Sequence, residues 1–197
     1  RAAVAAKIPR VLVASSSAVY GGGHGRPFRE DDALEPVNAY GKAKKDMETL
    51  CRRYAVKYGI EICLLRIGNV AGADALLGTA AEWRIGDPPR TLDVFPDGDG
   101  PRRSYIGPCT LARVLKSLAL CPAPLPQLVN VATPTRVSMN ALLDAAGIAW
   151  IPRAVPASPL QDIGLDCSRL ERLSDIDASD GAPATLVAQW RSALEAL

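Results

Sequence analysis

The sequence predicts an α/β protein built around a parallel sheet. Residues 1–70 read as a short helix, a strand, a long helix and a second strand, the order typical of parallel sheets. The two strands are short apolar runs that follow the chain breakers Pro9 and Gly59. The segment between them repeats its apolar residues at helical spacing, which predicts a crossover helix between neighbouring strands.

Four elements are predicted in this part of the chain, in the order helix, strand, helix and strand: residues 1–8, 11–14, 39–58 and 60–67. Both strands are expected to be buried on their two faces, because neither alternates with polar residues. Asn38 is a suitable N-cap for the long helix, and Gly59 is expected to end it.

The composition of the sequence changes after Gly72. Prolines and glycines become frequent there and predict short elements joined by loops. The expected helices are residues 74–84, 109–120, 138–146 and 184–196. The expected strands are residues 92–95, 128–131 and 148–151, and residues 175–184 are expected to be a loop. We therefore predict two parts: a sheet-bearing domain over 1–73, and a small α+β lobe over 74–197 interleaved with the last sheet elements.

Composition excludes several classes of protein. The chain has 197 residues and a formal net charge of only +2, so it lacks the basic character of nucleic-acid and membrane-surface binders. Five scattered cysteines and a single histidine form no metal-ligand spacing, which predicts reduced thiols, no metal site and a cytoplasmic location. No apolar run is long enough to span a bilayer.

The strongest chemical feature is the pair Tyr40 and Lys44, which lie four residues apart on the predicted helix and therefore on one face. An ammonium beside a phenol stabilises the phenolate, and a phenol tuned in this way can exchange a proton with an alcohol or a ketone. An isolated pair at this spacing more often serves packing and solubility. Here it follows Ser15, Ser16 and Ser17, which come directly after the first strand, at the sheet edge where ligands of α/β proteins gather. The alternative for these serines is a turn in which they cap backbone groups.

Four segments in this order resemble the extended short-chain dehydrogenase/reductases of the NAD-dependent epimerase/dehydratase family, which includes UDP-galactose 4-epimerase. They are VLVASSSAVYG at 11–21, PFREDDALEPVNAYGKAK at 27–44, LLRIGNVAG at 64–72 and RRSYI at 102–106. The resemblance implies a Rossmann-type, doubly wound parallel sheet, of which this chain would be the C-terminal half. It also implies a nucleotide-linked sugar or similar small molecule as substrate, and a homodimer.

The resemblance implies roles for eight residues. Ser16, Tyr40 and Lys44 would be catalytic, with Ser16 binding the substrate oxygen and Tyr40 acting as general acid/base. Ala14, Ser15, Tyr40, Lys44 and Gly68 would contact NAD or NADP, between which the sequence does not distinguish. Ser16, Asn69 and Arg103 would contact substrate, with the arginine on a phosphate.

Two departures from the family pattern narrow the expected reaction. Dehydratases carry Asp-Glu directly after the catalytic threonine, where this chain has Ser17 and Ala18, which favours an epimerase or a simple reductase. The family's Arg-Asp-Tyr-Ile-His-Val-Asp-Asp is replaced here by RSYIGPCT at 103–110. The nearest match to G-x-G-x-x-G, residues 21–25, lacks the third glycine and the following helix, so the phosphate-binding half is expected outside this sequence.

Two hypotheses follow. The first is an NAD(P)-dependent oxidoreductase or isomerase that transfers a hydride at a sugar carbon. The second is a catalytically silent binding or regulatory protein, or an inactive fragment, that keeps the fold. For dimer formation, the Tyr40 helix could contribute Met47, Leu50 and Tyr54, unless these residues pack against their own sheet.

Overall fold

The structure is a computed structural model that describes residues 2–80 and 86–196. Its helices are α1 (Ala2–Ala5), α2 (Ala39–Tyr58), α3 (Pro108–Leu120), α4 (Met139–Ala146), α5 (Ser168–Glu171) and α6 (Pro183–Glu195). Its strands are β1 (Arg10–Ser16), β2 (Glu61–Ile67), β3 (Asn69–Val70), β4 (Arg90–Val94), β5 (Arg102–Ile106), β6 (Leu128–Val131), β7 (Arg136–Ser138), β8 (Trp150–Ala154) and β9 (Asp162–Ile163). Short 3-10 turns occupy Ser17–Val19, Gly78–Ala80 and Ala178–Gly181.

The main sheet has the order β1-β2-β6, and all its strands are parallel. The register places Ser16 beside Ile67 and Ile67 beside Val131, so the three strands end at one edge. Apolar side chains of β2 and β6 form a buried cluster with Val114 and Leu118 of α3. The predicted α/β class with a parallel sheet is thereby confirmed.

Helix α2 crosses from β1 to β2 with the predicted bounds and caps. The Asn38 side chain accepts a hydrogen bond of 2.8 Å from the backbone N–H of Gly41, which satisfies one of the free donors at the helix start. Gly59 ends the helix with φ +60°, a left-handed conformation that glycine adopts without a steric penalty.

The second half of the chain adds two smaller sheets. Strands β3, β5 and β7 form one sheet, with β9 also pairing β5, and β4 pairs β8 in the other. A second buried cluster contains Tyr105 of β5, Leu142 and Leu143 of α4, and Leu186 and Trp190 of α6.

Several expectations about individual elements were wrong. Residues 74–80 are not an α-helix, because the Asp74 carboxylate accepts the backbone N–H groups of Leu76 and Leu77 at 2.6 and 3.0 Å and so holds a turn. Residues 81–84 of that prediction lie outside the described residues. Strand β1 is only half-buried instead of buried on both faces: Ser15 is its one buried residue and Ala14 is exposed. Residues 175–184, predicted as a loop, contain a 3-10 turn and the start of α6.

Candidate active site

The predicted site residues of the first two strands meet at the carboxyl edge of the main sheet. Ser16 is the last residue of β1 and lies beside Ile67, the last residue of β2. Gly68 and Asn69 follow Ile67 directly and lead into β3. Because parallel strands present their carboxyl ends on the same side, this edge is where an α/β sheet binds ligands.

The start of α2 reaches this edge through a close approach at Gly41. A Cβ at Gly41 would overlap the carbonyl oxygen of Ala18 and would lie 2.9 Å from Pro36 Cβ. Only glycine therefore lets the first turn of α2 pack directly on the 3-10 turn Ser17–Val19. Tyr40, the neighbour of Gly41, is brought to the turn that begins at Ser16.

Lys44 is held between the strand and Tyr40. Its Nζ donates a hydrogen bond of 2.9 Å to the carbonyl oxygen of Ala14 and lies 5.6 Å from the centroid of the Tyr40 ring. This distance is within the range of a cation–π contact. Tyr40 itself is 56% exposed, so its phenol is accessible to a ligand.

The hydroxyl of Ser16 caps the 3-10 turn and still has a proton to donate. Its Oγ accepts a hydrogen bond of 3.2 Å from the backbone N–H of Ala18, as the turn alternative predicted. A serine hydroxyl has one donor and two acceptor positions, so this bond leaves the donor available to a substrate oxygen. The capping role and the expected substrate role are therefore compatible.

The side chain of Ser15, a predicted cofactor contact, is bonded inside the protein. Its side chain is 4% exposed and its Oγ donates a hydrogen bond of 2.6 Å to Glu48 Oε1 of α2. Successive side chains of a strand point to opposite faces, so the Ser15 hydroxyl turns into the layer between β1 and α2. Only its backbone remains for a ligand, beside the exposed Ala14.

Gly68 and Asn69 connect the main sheet to β5. The Gly68 N–H donates 2.9 Å to the Val131 carbonyl, and a Cβ at Gly68 would lie 2.5 Å from the Ser104 carbonyl oxygen. The close approach of β5 is therefore a sufficient reason for a glycine at position 68, and no ligand contact is needed to explain it. Asn69 pairs in register with Tyr105.

Arg103 lies in the second sheet, on β5, and its guanidinium contacts neutral acceptors. Nη1 donates to the carbonyl oxygens of Arg102 at 2.6 Å and Gln161 at 3.1 Å. Burial lowers the pKa of Arg103 from its ordinary value. A partly buried guanidinium bonded to carbonyls retains donors suited to an anionic ligand.

A buried polar network that was not predicted from the sequence lies beneath the site. Arg66 of β2 and Glu48 of α2 form a bidentate ion pair with bonds of 3.0 and 2.7 Å, and their side chains are 1% and 2% exposed. Arg66 also donates 2.9 Å to the hydroxyl of Tyr20, whose pKa is raised to about 12 by burial. Two signals were present in the sequence: an arginine within a buried strand, and a glutamate eight residues after Tyr40 on the same helix.

The residues at this edge fit the nicotinamide end of a dinucleotide. The Tyr40 phenol is exposed and the Lys44 ammonium is bonded to Ala14 near the end of β1, and both groups are of the kind that hydrogen-bond a ribose hydroxyl or a substrate oxygen. Residues 21–25, the nearest match to a phosphate-binding turn, instead pack against a later segment of the chain. The Gly23 N–H donates a hydrogen bond of 2.8 Å to the Pro159 carbonyl oxygen, and a Cβ at Gly23 would overlap the carbonyl oxygen of Asp162.

The helices and the cysteines of the described residues bear on membrane insertion and on disulfide bonds. None of the helices in residues 2–80 and 86–196 is long and apolar enough to cross a membrane. The five cysteines are free thiols; Cys63 and Cys167 are buried, whereas Cys109 is exposed.

Comparison with known proteins finds a family match for the first part of the chain. Residues 1–82 match the model of the NAD dependent epimerase/dehydratase family. A UDP-glucose 4-epimerase of Azospirillum brasilense is 40% identical over 73 residues, which are 37% of this chain and 21% of that protein. A protein named uncharacterized UDP-glucose epimerase YtcB, of Bacillus subtilis, is 33% identical over 107 residues, 52% of this chain and 33% of its own length. The matched segments thus span about a fifth to a third of these relatives.

Solved structures share the fold over nearly the whole chain. The UDP-glucose 4-epimerase of Thermus thermophilus, in complex with NAD, superposes with a TM-score of 0.72 at 23% identity, covering 98% of this chain and 67% of that one. An NAD dependent-NDP-hexosamine 5,6-dehydratase, TunA, gives a TM-score of 0.72 at 21% identity, covering 96% of this chain and 66% of that one. These likenesses confirm the Rossmann-type fold class. Over its first 82 residues, the chain is similar to the NAD dependent epimerase/dehydratase family.

Proposed function

We propose that the protein is an NAD-dependent epimerase or reductase that transfers a hydride at a carbon of a nucleotide-linked sugar. The observation that carries the proposal is the packing of Gly41 on the turn after β1, which brings Tyr40 and Lys44 to the strand end formed by Ser16. The family match over residues 1–82 supports it.

Tyr40 moves the proton in this proposal. Its phenolate takes the proton of the sugar hydroxyl as the hydride leaves the same carbon, and the phenol returns the proton when the carbonyl is reduced. Ser16 donates a hydrogen bond to the same oxygen. Lys44, fixed by its bond to Ala14, keeps a positive charge beside the phenolate and can also bind a ribose hydroxyl.

NAD is the favoured cofactor. The family is NAD-dependent by its description, and the T. thermophilus relative in fold contains NAD. The chemistry that a bound nicotinamide supplies is hydride acceptance and hydride return. In this proposal Ala14, Tyr40, Lys44 and Gly68 would contact the cofactor, and Ser15 would contribute its backbone alone.

The substrate would be held through its phosphate by Arg103, whose described bonds are to neutral carbonyls. Asn69, at the junction with β5, would contact the sugar. Elimination of water is not expected, because Ser17 and Ala18 offer no carboxylic acid for the leaving hydroxyl. The dehydratase among the similar structures shares the fold alone.

The test is Tyr40→Phe in the intact protein, with Tyr54→Phe on the same helix as the matched control. General acid–base catalysis contributes about 10²–10⁴-fold, so we expect kcat for UDP-glucose to fall by that factor in the first variant and to stay unchanged in the second. NADH binding, followed by fluorescence, should persist in both. Undiminished turnover in Tyr40→Phe would refute the proposal. Absence of NADH binding by the unmodified protein would favour the silent binding protein instead.

We further propose a cytoplasmic homodimer that pairs through α2. Five free thiols are typical of a reducing compartment. On α2, Leu50 is 53% exposed and borders an apolar groove of about 290 Å³ shared with Tyr54. Leu50→Glu should convert a dimer to a monomer in light scattering; a dimer that survives this change would exclude the α2 interface.

A further inference from the structure

We propose that the buried pair Glu48 and Arg66 acts as a positioning device, fixing both the helix that carries Tyr40 and the turn that follows Ser16. This inference rests on the proposed function and names two residues that do not touch the substrate. The observation behind it is that this one ion pair is bonded both to helix α2, which carries Tyr40, and to the turn that follows Ser16.

Glu48 fixes α2 along the strand. It follows Lys44 by four residues, so both side chains lie on the helix face that contacts β1. Lys44 bonds to Ala14 and Glu48 bonds to Ser15, which are consecutive residues of the strand. Two bonds about 6 Å apart along the helix, to fixed points on the strand, oppose its sliding and its rotation.

Arg66 extends this attachment to the loop before α2. Beyond its two bonds to Glu48, its Nη1 donates 2.9 Å to the Tyr20 hydroxyl and 3.1 Å to the Glu30 carbonyl. Tyr20 is the C-cap of the 3-10 turn whose N-cap is Ser16. The guanidinium therefore connects the far end of the Ser16 turn to the helix of Tyr40.

Tyr20 is itself fixed from two other sides. Its hydroxyl donates 2.7 Å to Asn130 Oδ1 of β6, and its ring stacks on Phe28 with centroids 4.7 Å apart. Asn130 Nδ2 donates 2.9 Å to the Phe28 carbonyl. No buried side-chain nitrogen or oxygen of Glu48, Arg66, Tyr20 or Asn130 lacks a hydrogen-bond partner, and satisfied networks of this kind favour one arrangement of the buried groups.

Burial makes an ion pair a poor source of stability compared with apolar residues of the same volume. Its directional bonds are the property that apolar residues lack. A displacement of about 1 Å at reacting groups can reduce turnover by about 10²-fold. The pair is therefore expected to affect catalysis beyond its effect on folding.

The test compares two double variants of the intact protein. Glu48→Met with Arg66→Met replaces the pair by apolar residues of similar length. Arg10→Met with Glu61→Met is the control, because it removes another arginine–glutamate pair that is bonded to β2, at the end of the strand away from Ser16. Ser15→Ala is a milder third variant that removes only the hydrogen bond to Glu48.

For the Glu48/Arg66 variant we expect kcat to fall 10–100-fold with KM for UDP-glucose changed by less than about threefold, and the pH profile of kcat to shift. The control should keep the wild-type kcat and profile while losing thermal stability. Ser15→Ala should lower kcat by a smaller factor, in the same direction. A kcat and pH profile equal to those of the control would overturn the inference.

A crystal structure of the Glu48/Arg66 variant gives a readout independent of turnover. We expect the Lys44 Nζ to Ala14 oxygen distance, 2.9 Å in the unmodified protein, to exceed about 3.5 Å. An unchanged distance would refute the positioning role even if the protein catalysed another reaction. The proposed function, in contrast, fails on Tyr40→Phe alone, so the two failures are distinguishable.

Discussion

Replacing Gly41 by alanine tests whether the contact between α2 and the turn Ser17–Val19 assembles the site. The new Cβ would overlap the Ala18 carbonyl oxygen and lie 2.9 Å from Pro36 Cβ. The first obstacle is backbone, which cannot rotate aside as a flexible side chain can. The start of α2, with Tyr40, must therefore withdraw from the turn that begins at Ser16.

The size of the effect follows from this geometry. Real Cβ atoms essentially never come within 3.0 Å of another heavy atom, so the helix start must retreat by on the order of 1 Å. Overpacking of this kind costs about 1–3 kcal/mol, and the better helix propensity of alanine offsets about 1 kcal/mol. The net loss of stability is therefore about 0–2 kcal/mol. A 1 Å displacement of Tyr40, in contrast, should reduce kcat by about 10²-fold.

Gly22→Ala is the matched control, because the nearest atoms to a Cβ there, on Pro159 and Leu160, lie 3.8 Å away. Urea unfolding measures the change in stability of both variants, and initial rates with UDP-glucose measure kcat. We expect the Gly22 variant to match the unmodified protein in both. Equal kcat values for the Gly41 variant and its control would show that the contact does not position Tyr40.

Three further predictions concern single side chains. Ser16→Ala removes one neutral hydrogen bond to the substrate oxygen, so kcat/KM should fall about two- to tenfold; no change would exclude that contact. Arg103→Lys loses the planar fork that binds phosphate, so KM for UDP-glucose should rise about 10–100-fold at nearly constant kcat, and an unchanged KM would place the phosphate elsewhere. Arg10 lowers the pKa of Glu61, so this carboxylate stabilises the fold above pH about 4.3 and its contribution is lost as the pH falls. Glu61→Gln should therefore lower the melting temperature at pH 7 and reduce its drop between pH 7 and pH 3; an undiminished drop would contradict this linkage.

Local signals predicted the elements that carry the site. Helix α2 has strong apolar periodicity with a capping asparagine and a terminal glycine, and its bounds were predicted correctly. Strand β2 is an apolar run interrupted only by Glu61 and Arg66, and it was also found in place. Such elements are visible in the sequence because their own residues determine them.

Elements determined by distant partners were not predictable in the same way. Strand β5 begins Arg-Arg-Ser, which has no strand pattern, and it forms because β3, β7 and β9 pair with it. Residues 74–80 look helical, yet the Asp74 carboxylate offers the backbone a competing set of acceptors.

The same division applies to the site. Tyr40 and Lys44 are visible as a local spacing on one helix, and in the structure Lys44 is bonded to Ala14, near the end of β1. The ion pair of Glu48 and Arg66 joins residues 18 apart in the sequence, and nothing local indicates that an arginine in a buried strand meets that glutamate. The alternation of side chains along a strand was sufficient to predict that Ser15 and Ser16 point to opposite faces of β1. The family resemblance assigned both residues to the site and so did not indicate this difference.

The most direct test of the central claim is a crystal structure of the intact protein with NAD and UDP-glucose bound. Tyr40 and Ser16 are expected to share one substrate oxygen, with the Tyr40 Oη and the Ser16 Oγ each within about 3.2 Å of a hydroxyl on the sugar ring. A sugar bound with that hydroxyl out of reach of the Tyr40 phenol would contradict the assignment of Tyr40 as the proton-transferring group.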